Sequence, residues 1–255
     1  MNIHRVLVTG ASGYLAGFVI DRLRHDHDLT LFDRVPPGED RTDLRFVEGD
    51  VTSEDDVRRA CADQDAVVHT IALVRERMGQ PAAAFAEVMV KGTWHVAEAC
   101  VEQEVKRLVN VSSIVAIGPP HEPDMPHDAH DGCRFTESDL HYCLAKHIGE
   151  DICDAYHQAH GLDVIHLRPG VIAGDGLNPG PSAPDAPRDH WFMYVDPRDV
   201  AQSVEAALAG SVSHGRFNIV AGRDDSAYEW RSAARELGYH PQHNWPNIPL
   251  SGGAS

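Results

Sequence analysis

The stretch VLVTGASGYLAG, residues 6–17, limits what this chain can fold into more than any other. An apolar run of strand type feeds a turn containing Gly10 and Gly13, and the turn opens a stretch with apolar residues at helical spacing. Gly10 permits the tight turn, and Gly13 lets the backbone approach a pyrophosphate. The helix behind them offers unbonded N–H groups and the positive end of its dipole. An acid, Asp33, closes the second strand-like run (LTLFDR) roughly 20 residues on, where a dinucleotide's adenosine ribose is held. A carboxylate there accepts from the ribose hydroxyls and repels a 2′-phosphate, which favours NAD over NADP. Arg34, beside it, is a guanidinium that can hold such a phosphate, so NADP remains the second choice.

The same alternation continues down the chain. RFVEGDV, AVVHTIA, VKRLVNVSS and DVIHLRPG read as further buried strands. Between them lie helical stretches: SEDDVRRACAD, with Ser53 as N-cap and acids in its first turn; AAFAEVMVKGTWHVAEACVEQ; and a helix running from Tyr142 to about His160. Short apolar strands separated by helices predict an α/β fold, a doubly wound parallel sheet with helices on both faces. Residues 118–132 and 174–190 are rich in Pro, Gly, Asp and His and follow strands, so they belong at the carboxyl edge where substrate binds. After Trp191 the alternation resumes. Residues 1–170 are read as a dinucleotide-binding domain. Residues 171–255 are read as a small substrate-binding portion that returns one or more strands or helices to the main domain and is not independent.

Composition narrows the partners. A chain of 255 residues buries a sizeable core without staples. A net charge of −17 argues against nucleic acid and against anionic membranes. The longest apolar runs, such as AVVHTIALV, are too short to span a bilayer, and the first strand begins almost at Met1, leaving no room for a signal peptide. The five cysteines form no C-x-x-C and fit free thiols in a reducing cytoplasm. Of the seventeen histidines, His121, His127 and His130 share a loop with Asp124, Asp128 and Asp131. Their spacing matches no zinc pattern, so the loop is read as solvated and no metal is expected. His69 is read as a core histidine at a strand end.

Several short motifs, in this order and spacing, carry a resemblance. TGASGYLAG is similar to T-G-x-x-G-x-x-G, and Asp50–Val51 to an adenine-side Asp-Val pair. VVHTIA is similar to V-x-H-x-A-A, MVKGT to N-V-x-G-T, YCLAK to Y-x-x-x-K and LRPG to L-R-P. From Val6 to about Tyr239 the chain resembles the extended short-chain dehydrogenase/reductases, the NAD-dependent epimerase/dehydratase branch. The resemblance implies a Rossmann-type fold. It implies NAD held by Gly10, Ser12, Gly13, Tyr14, Leu15, Asp33, Arg34, Asp50, Val51, Ile71, Ala72, Tyr142 and Lys146. It implies catalysis by Ser113, Tyr142 and Lys146. Positions i and i+4 share a helix face, so Tyr142 and Lys146 can both point to the cofactor. Tyr142 would be the general acid/base. Lys146 would lower its pKa and bond the nicotinamide ribose. Ser113 would hold the reacting oxygen. Strand alternation sends the neighbouring Ser112 to the opposite face.

The chain departs from the family pattern at two places. Met89 stands where N-V-x-G-T has Asn. Ile114 and Val115 stand where sugar 4,6-dehydratases carry Asp-Glu and uronate dehydrogenases Asn-His, which argues against dehydratase chemistry. Length and the run VAGRDDSAYEWRSAARELGYHPQHN resemble the compact uronate and aldose dehydrogenases. The expectation is an NAD-dependent oxidoreductase of a small hydroxyl or carbonyl substrate, sugar-like or uronate-like. Arg75, Arg77, Arg188 and Ser113 are the candidates for substrate contact. The alternatives are an epimerase that retains its NAD, a reductase of a non-sugar ketone, and a dinucleotide sensor without turnover. By the same resemblance, the helices at residues 85–103 and 142–160 would pair in a homodimer.

Overall fold

The computed structural model describes residues 3–73, 80–118, 126–130, 132–137, 140–172, 194–222, 224 and 226–243. The apolar runs form β1 (Arg5–Thr9), β2 (Asp28–Asp33), β3 (Arg45–Glu48), β4 (Ala66–His69), β5 (Arg107–Val111) and β6 (Asp163–Pro169). Two short strands, β7 (Val171–Ile172) and β8 (Tyr194–Val195), pair with each other. The last strand, β9 (His214–Ile219), lies beside β6 in the main sheet, whose seven parallel strands run β3-β2-β1-β4-β5-β6-β9. The helices are α1 (Tyr14–Leu23), α2 (Glu54–Cys61), α3 (Ala82–Phe85), α4 (Gly92–Glu102), α5 (Leu140–His160) and α6 (Pro197–Ala209). A π-helical run, Ala86–Lys91, joins α3 to α4. None of the described helices is long and apolar enough to cross a membrane.

Period-two alternation decides which side chains meet which helices. Val6 and Val8 of β1 and Val109 of β5 pack with Val19 and Ile20 of α1 and Val200 and Val204 of α6. Leu7, Val67 and Leu108 face the other way, onto Val57 of α2, Val96 and Cys100 of α4, and Cys153 of α5. Burying each large aliphatic contributes about 1.5–3 kcal/mol, so both faces are secured by core. Caps fix the helix starts: Ser53 accepts from the Asp56 N–H at 3.4 Å, and Asp196 accepts from the Arg198 N–H at 2.9 Å with Pro197 opening the helix.

One interface is ionic. α5 presents Lys146, Glu150 and Asp154, spaced by four, to the outer strands. Alternate residues of β6 and β9 answer with His166 and Arg168, and with His214 and Arg216. Arg168 grips the buried Glu150 with Nε–Oε1 at 2.8 Å and Nη2–Oε2 at 2.5 Å, and donates Nη1 to the Ala129 carbonyl. The Nε2 atoms of His166 and His214 each lie 2.8 Å from Asp154 Oδ1, while Arg216 holds Oδ2. The guanidinium already neutralises this carboxylate, which disfavours a cation among the three donors.

The strand order reverses between β1 and β4. The chain leaves β1 for β2 and β3 on one side and returns to β4 on the other. The crevice at the carboxyl ends of β1 and β4 is where such folds bind ligands.

Candidate active site

That crevice opens into a cavity of about 980 Å³. Its inner edge is the glycine turn. Gly10 sits at φ +71°, and a Cβ there would fall 3.0 Å from the Ile71 and Thr70 side chains. Its N–H donates to the Phe32 carbonyl at 2.8 Å, which locks the loop to β2. A Cβ on Gly13 would fall 3.0 Å from the Gly10 carbonyl oxygen. Larger residues would force this turn open. Ser12, Tyr14 and Leu15 line the same end.

Asp33 lines the cavity beside the glycine turn. Its carboxylate accepts the Ser12 N–H at 3.1 Å and the Arg34 N–H at 2.7 Å, so the glycine turn and the end of β2 share one acceptor. The Arg34 side chain swings to Asp50, 3.7 Å away. Asp50 also accepts from the Thr52 N–H and hydroxyl at 2.9 Å. Val51, Ile71 and Ala72 complete this wall.

The opposite wall holds Ser113, Tyr142 and Lys146. β5 ends at Val111, and Ser113 caps the 3₁₀ turn Ile114–Ala116, its Oγ accepting from the Val115 N–H at 3.4 Å. Lys146 is buried and donates to the Val111 carbonyl at 2.7 Å, which ties α5 to the end of β5. Burial lowers its pKa to about 8 against the upward pull of Glu150. Ser112 is buried and Ser113 half-buried.

His69 closes β4 as a buried neutral ring. The Thr93 hydroxyl donates to the Met89 carbonyl at 2.6 Å, so it receives Nε2–H of His69 at 3.1 Å. Nδ1 then accepts from the Thr9 hydroxyl at 2.8 Å. Burial, and then the nearby Lys146 charge, lowers its pKa to about 3. Met89 lies in the π-helical run and packs with Phe85 and Ala145, with Tyr142 against the same cluster. An apolar strut thus stands where the family has a polar Asn.

Arg75, Arg77 and Arg188 lie outside the described residues, as do His121, Asp124 and Asp131. His127 is buried and bridged to Tyr228, with ring centroids 5.8 Å apart. Sequence reasoning missed three residues that line the catalytic end of the cavity: Arg134, Thr136 and Tyr228. It also missed the partners of Glu150 and Asp154. The alternating polar residues of DVIHLRP and HGRFNI were the available signal for those.

Fold and crevice together define a protein of the doubly wound, dinucleotide-binding class. A family model described as the NAD dependent epimerase/dehydratase family matches residues 6–190, and the chain belongs to that family. It is similar to the L-arabinose 1-dehydrogenase (NAD(P)(+)) of Haloferax volcanii, 27% identical and covering 94% of this chain and 97% of that one. It is also similar to the NAD-dependent glucose-6-phosphate dehydrogenase of the same organism, at 26% identity over 97% and 96% of the two chains. The glucuronic acid dehydrogenase structure from Chromohalobacter salexigens shares its fold, with a TM-score of 0.80 at 21% identity, covering 96% of this chain and 86% of that one.

Proposed function

We propose that the protein is an NAD-dependent oxidoreductase that moves hydride between a hydroxyl or carbonyl carbon of a small sugar-like substrate and the nicotinamide. The observation that carries this reading is one cavity with a glycine cradle and Asp33 at one end, and Ser113, Tyr142 and Lys146 at the other. The tight turn at Gly10 and Gly13, where a Cβ would crowd Ile71, Thr70 and the Gly10 carbonyl, suits a backbone that approaches the pyrophosphate. Ser12, Tyr14 and Leu15 flank it. Asp33 takes the adenosine ribose hydroxyls and favours NAD over NADP. Arg34, Asp50, Val51, Ile71 and Ala72 line the adenine side. When bound, NAD supplies the hydride acceptor.

The residues of the chain do the rest. Ser113 donates to the reacting oxygen and fixes its position. Tyr142 takes the proton from the substrate hydroxyl as the C–H bond breaks, and returns it in the reverse direction. A phenol with a pKa of about 10 is a poor base at neutral pH. Lys146, one turn along, stabilises the phenolate and lowers that value. Ile114 and Val115 offer no acid for eliminating water. The two full-length relatives named as sugar dehydrogenases support a sugar-like substrate. Residues after Val171 supply the substrate side while β9 completes the sheet. The protein works as a homodimer through α4 and α5, which expose Trp94 and Leu144. Five free thiols suit a reducing cytoplasm.

NADH formation from added NAD, measured across aldoses, uronates, secondary alcohols and nucleotide sugars, tests the reading. Turnover of one class, cut roughly 10²–10⁴-fold in Tyr142→Phe, supports it. NAD binding with no NADH from any of them overturns it in favour of an epimerase or a sensor.

A further inference from the structure

We propose that the substrate is a deoxy sugar, and that it seats a carbon bearing no hydroxyl against the turn that follows Ser113. The inference rests on the hydride-transfer reading above and narrows its substrate. Ser113, Ile114 and Val115 line the cavity together, so two aliphatic side chains follow the catalytic hydroxyl along the wall. The rest of the turn, Ala116, Ile117 and Gly118, brings no polar side chain either.

The backbone of the turn is closed as well. The carbonyls of Ser113, Ile114 and Val115 accept from the N–H groups of Ala116, Ile117 and Gly118 at 3.0, 3.2 and 3.1 Å. The Ala116 carbonyl accepts the Cys133 thiol at 3.2 Å and Nδ1–H of His147 at 3.1 Å. The Ile117 carbonyl takes the Arg134 N–H at 3.2 Å, and the Gly118 carbonyl takes the Tyr228 hydroxyl at 3.2 Å. Every carbonyl from Ser113 to Gly118 thus has a donor from the chain itself. The last of these bonds also decides what Tyr228 shows to the cavity. This buried residue lines it, but its hydroxyl is bound to backbone, and its ring belongs to one apolar cluster with Ile114, Ile117 and Val220. Arg134 and Thr136 line the same cavity and already interact with other groups of the chain.

A sugar hydroxyl laid against Ile114, Val115 and the Tyr228 ring gives up its water and gains no partner. A methyl or methylene there loses nothing and gains burial. An apolar surface rejects an added hydroxyl by at most about 100-fold, which bounds the effect.

The test compares kcat/KM for glucose, galactose and arabinose, each against its singly deoxygenated derivatives, in the wild type, Val115→Thr and Val115→Ala. NAD affinity is measured by calorimetry in the same proteins. The expected result is that one deoxy derivative exceeds its parent sugar roughly 10- to 100-fold in the wild type. Val115→Thr, which adds a hydroxyl at nearly the same shape, lowers that preference about 10-fold. Val115→Ala, which adds none, keeps most of it. Parent sugars turned over as well as every deoxy derivative overturn the proposal. So does an unchanged preference in Val115→Thr, or a change confined to NAD affinity, which would put Val115 on the cofactor. No wild-type turnover of any sugar is a distinct result: it overturns the hydride-transfer reading, and this inference falls with it.

Discussion

Lys146 is an ammonium held where burial disfavours its charge. A pKa lowered from 10.5 to about 8 corresponds to roughly 3 kcal/mol of destabilisation at neutral pH. Lys146→Met removes that and loses the bond to the Val111 carbonyl, which contributes about 1 kcal/mol. The cofactor-free variant should melt about 4–8 °C above the wild type while losing activity; a lower melting temperature would refute the argument. The folded state resists protonating this amine, so the penalty is complete below the folded pKa of about 8 and fades as pH rises toward 10.5. The gap in melting temperature should therefore be widest near pH 7 and close above pH 8. At the other end of the cavity, Asp33→Asn removes the charge that repels a 2′-phosphate. Steady-state rates with NADP should rise about 10-fold relative to those with NAD. That Gly10, Asp33, Tyr142 and Lys146 line one cavity was legible in the sequence, because each belongs to a local motif with fixed spacing. The place of Arg134 on the same wall was not, because its backbone meets Ile117, 17 residues earlier, and nothing in the local spacing encodes that pairing.

At the scale of elements, α5 is held to β6 and β9 by charge as much as by core. Burial pushes the Glu150 carboxyl upward, but its bonds to Arg168 outweigh that and hold it below the usual carboxylate range. Removing Arg168 takes away the bidentate partner of a buried carboxylate and leaves it to Arg216, Nε 3.2 Å from Oε2. Arg168→Met should cost about 3–5 kcal/mol in a urea titration. The double variant Arg168→Met/Glu150→Leu should recover much of that loss, and if it is no better than the single variant the pair is not the cause. Asp154 behaves in the same way: burial raises its pKa, while His166, His214 and Arg216 lower it further than that. Its contribution is complete above the ordinary carboxylate pKa of about 4 and is lost as pH falls below it. His214→Ala should shrink that contribution, so stability above pH 4 should fall while the further loss on acidification below pH 4 becomes smaller, as followed by circular dichroism in urea. This interface was half legible. The spacing of Lys146, Glu150 and Asp154, and the alternation of His166 with Arg168 and of His214 with Arg216, stand in the sequence. Which strand lies beside β6 depends on a pairing across the chain that no local pattern states.

At the scale of the whole molecule, the parallel architecture was legible because short apolar strands alternate with helices from β1 to β6. In the proposed homodimer the outward face of α4 and α5 would form the contact. Trp94 is 52% exposed and Leu144 38%, and the indole N–H of Trp94 donates to Tyr156 Oη at 2.9 Å. Trp94→Glu should turn the dimer into monomers in light scattering. A wild type that is itself a monomer would remove the dimer from the account. The position of β9 at the end of the sheet has a consequence for biosynthesis. Residues 163–169 leave the ribosome well before residues 214–219, which supply both the neighbouring strand and the Arg216 charge that Glu150 and Asp154 require. Until Ile219 emerges, the newborn chain has β6 as an open strand edge and Asp154 without His214 and Arg216. An open edge of that kind invites mispairing, so yield should fall when chaperone supply is cut even in variants whose native stability is unchanged.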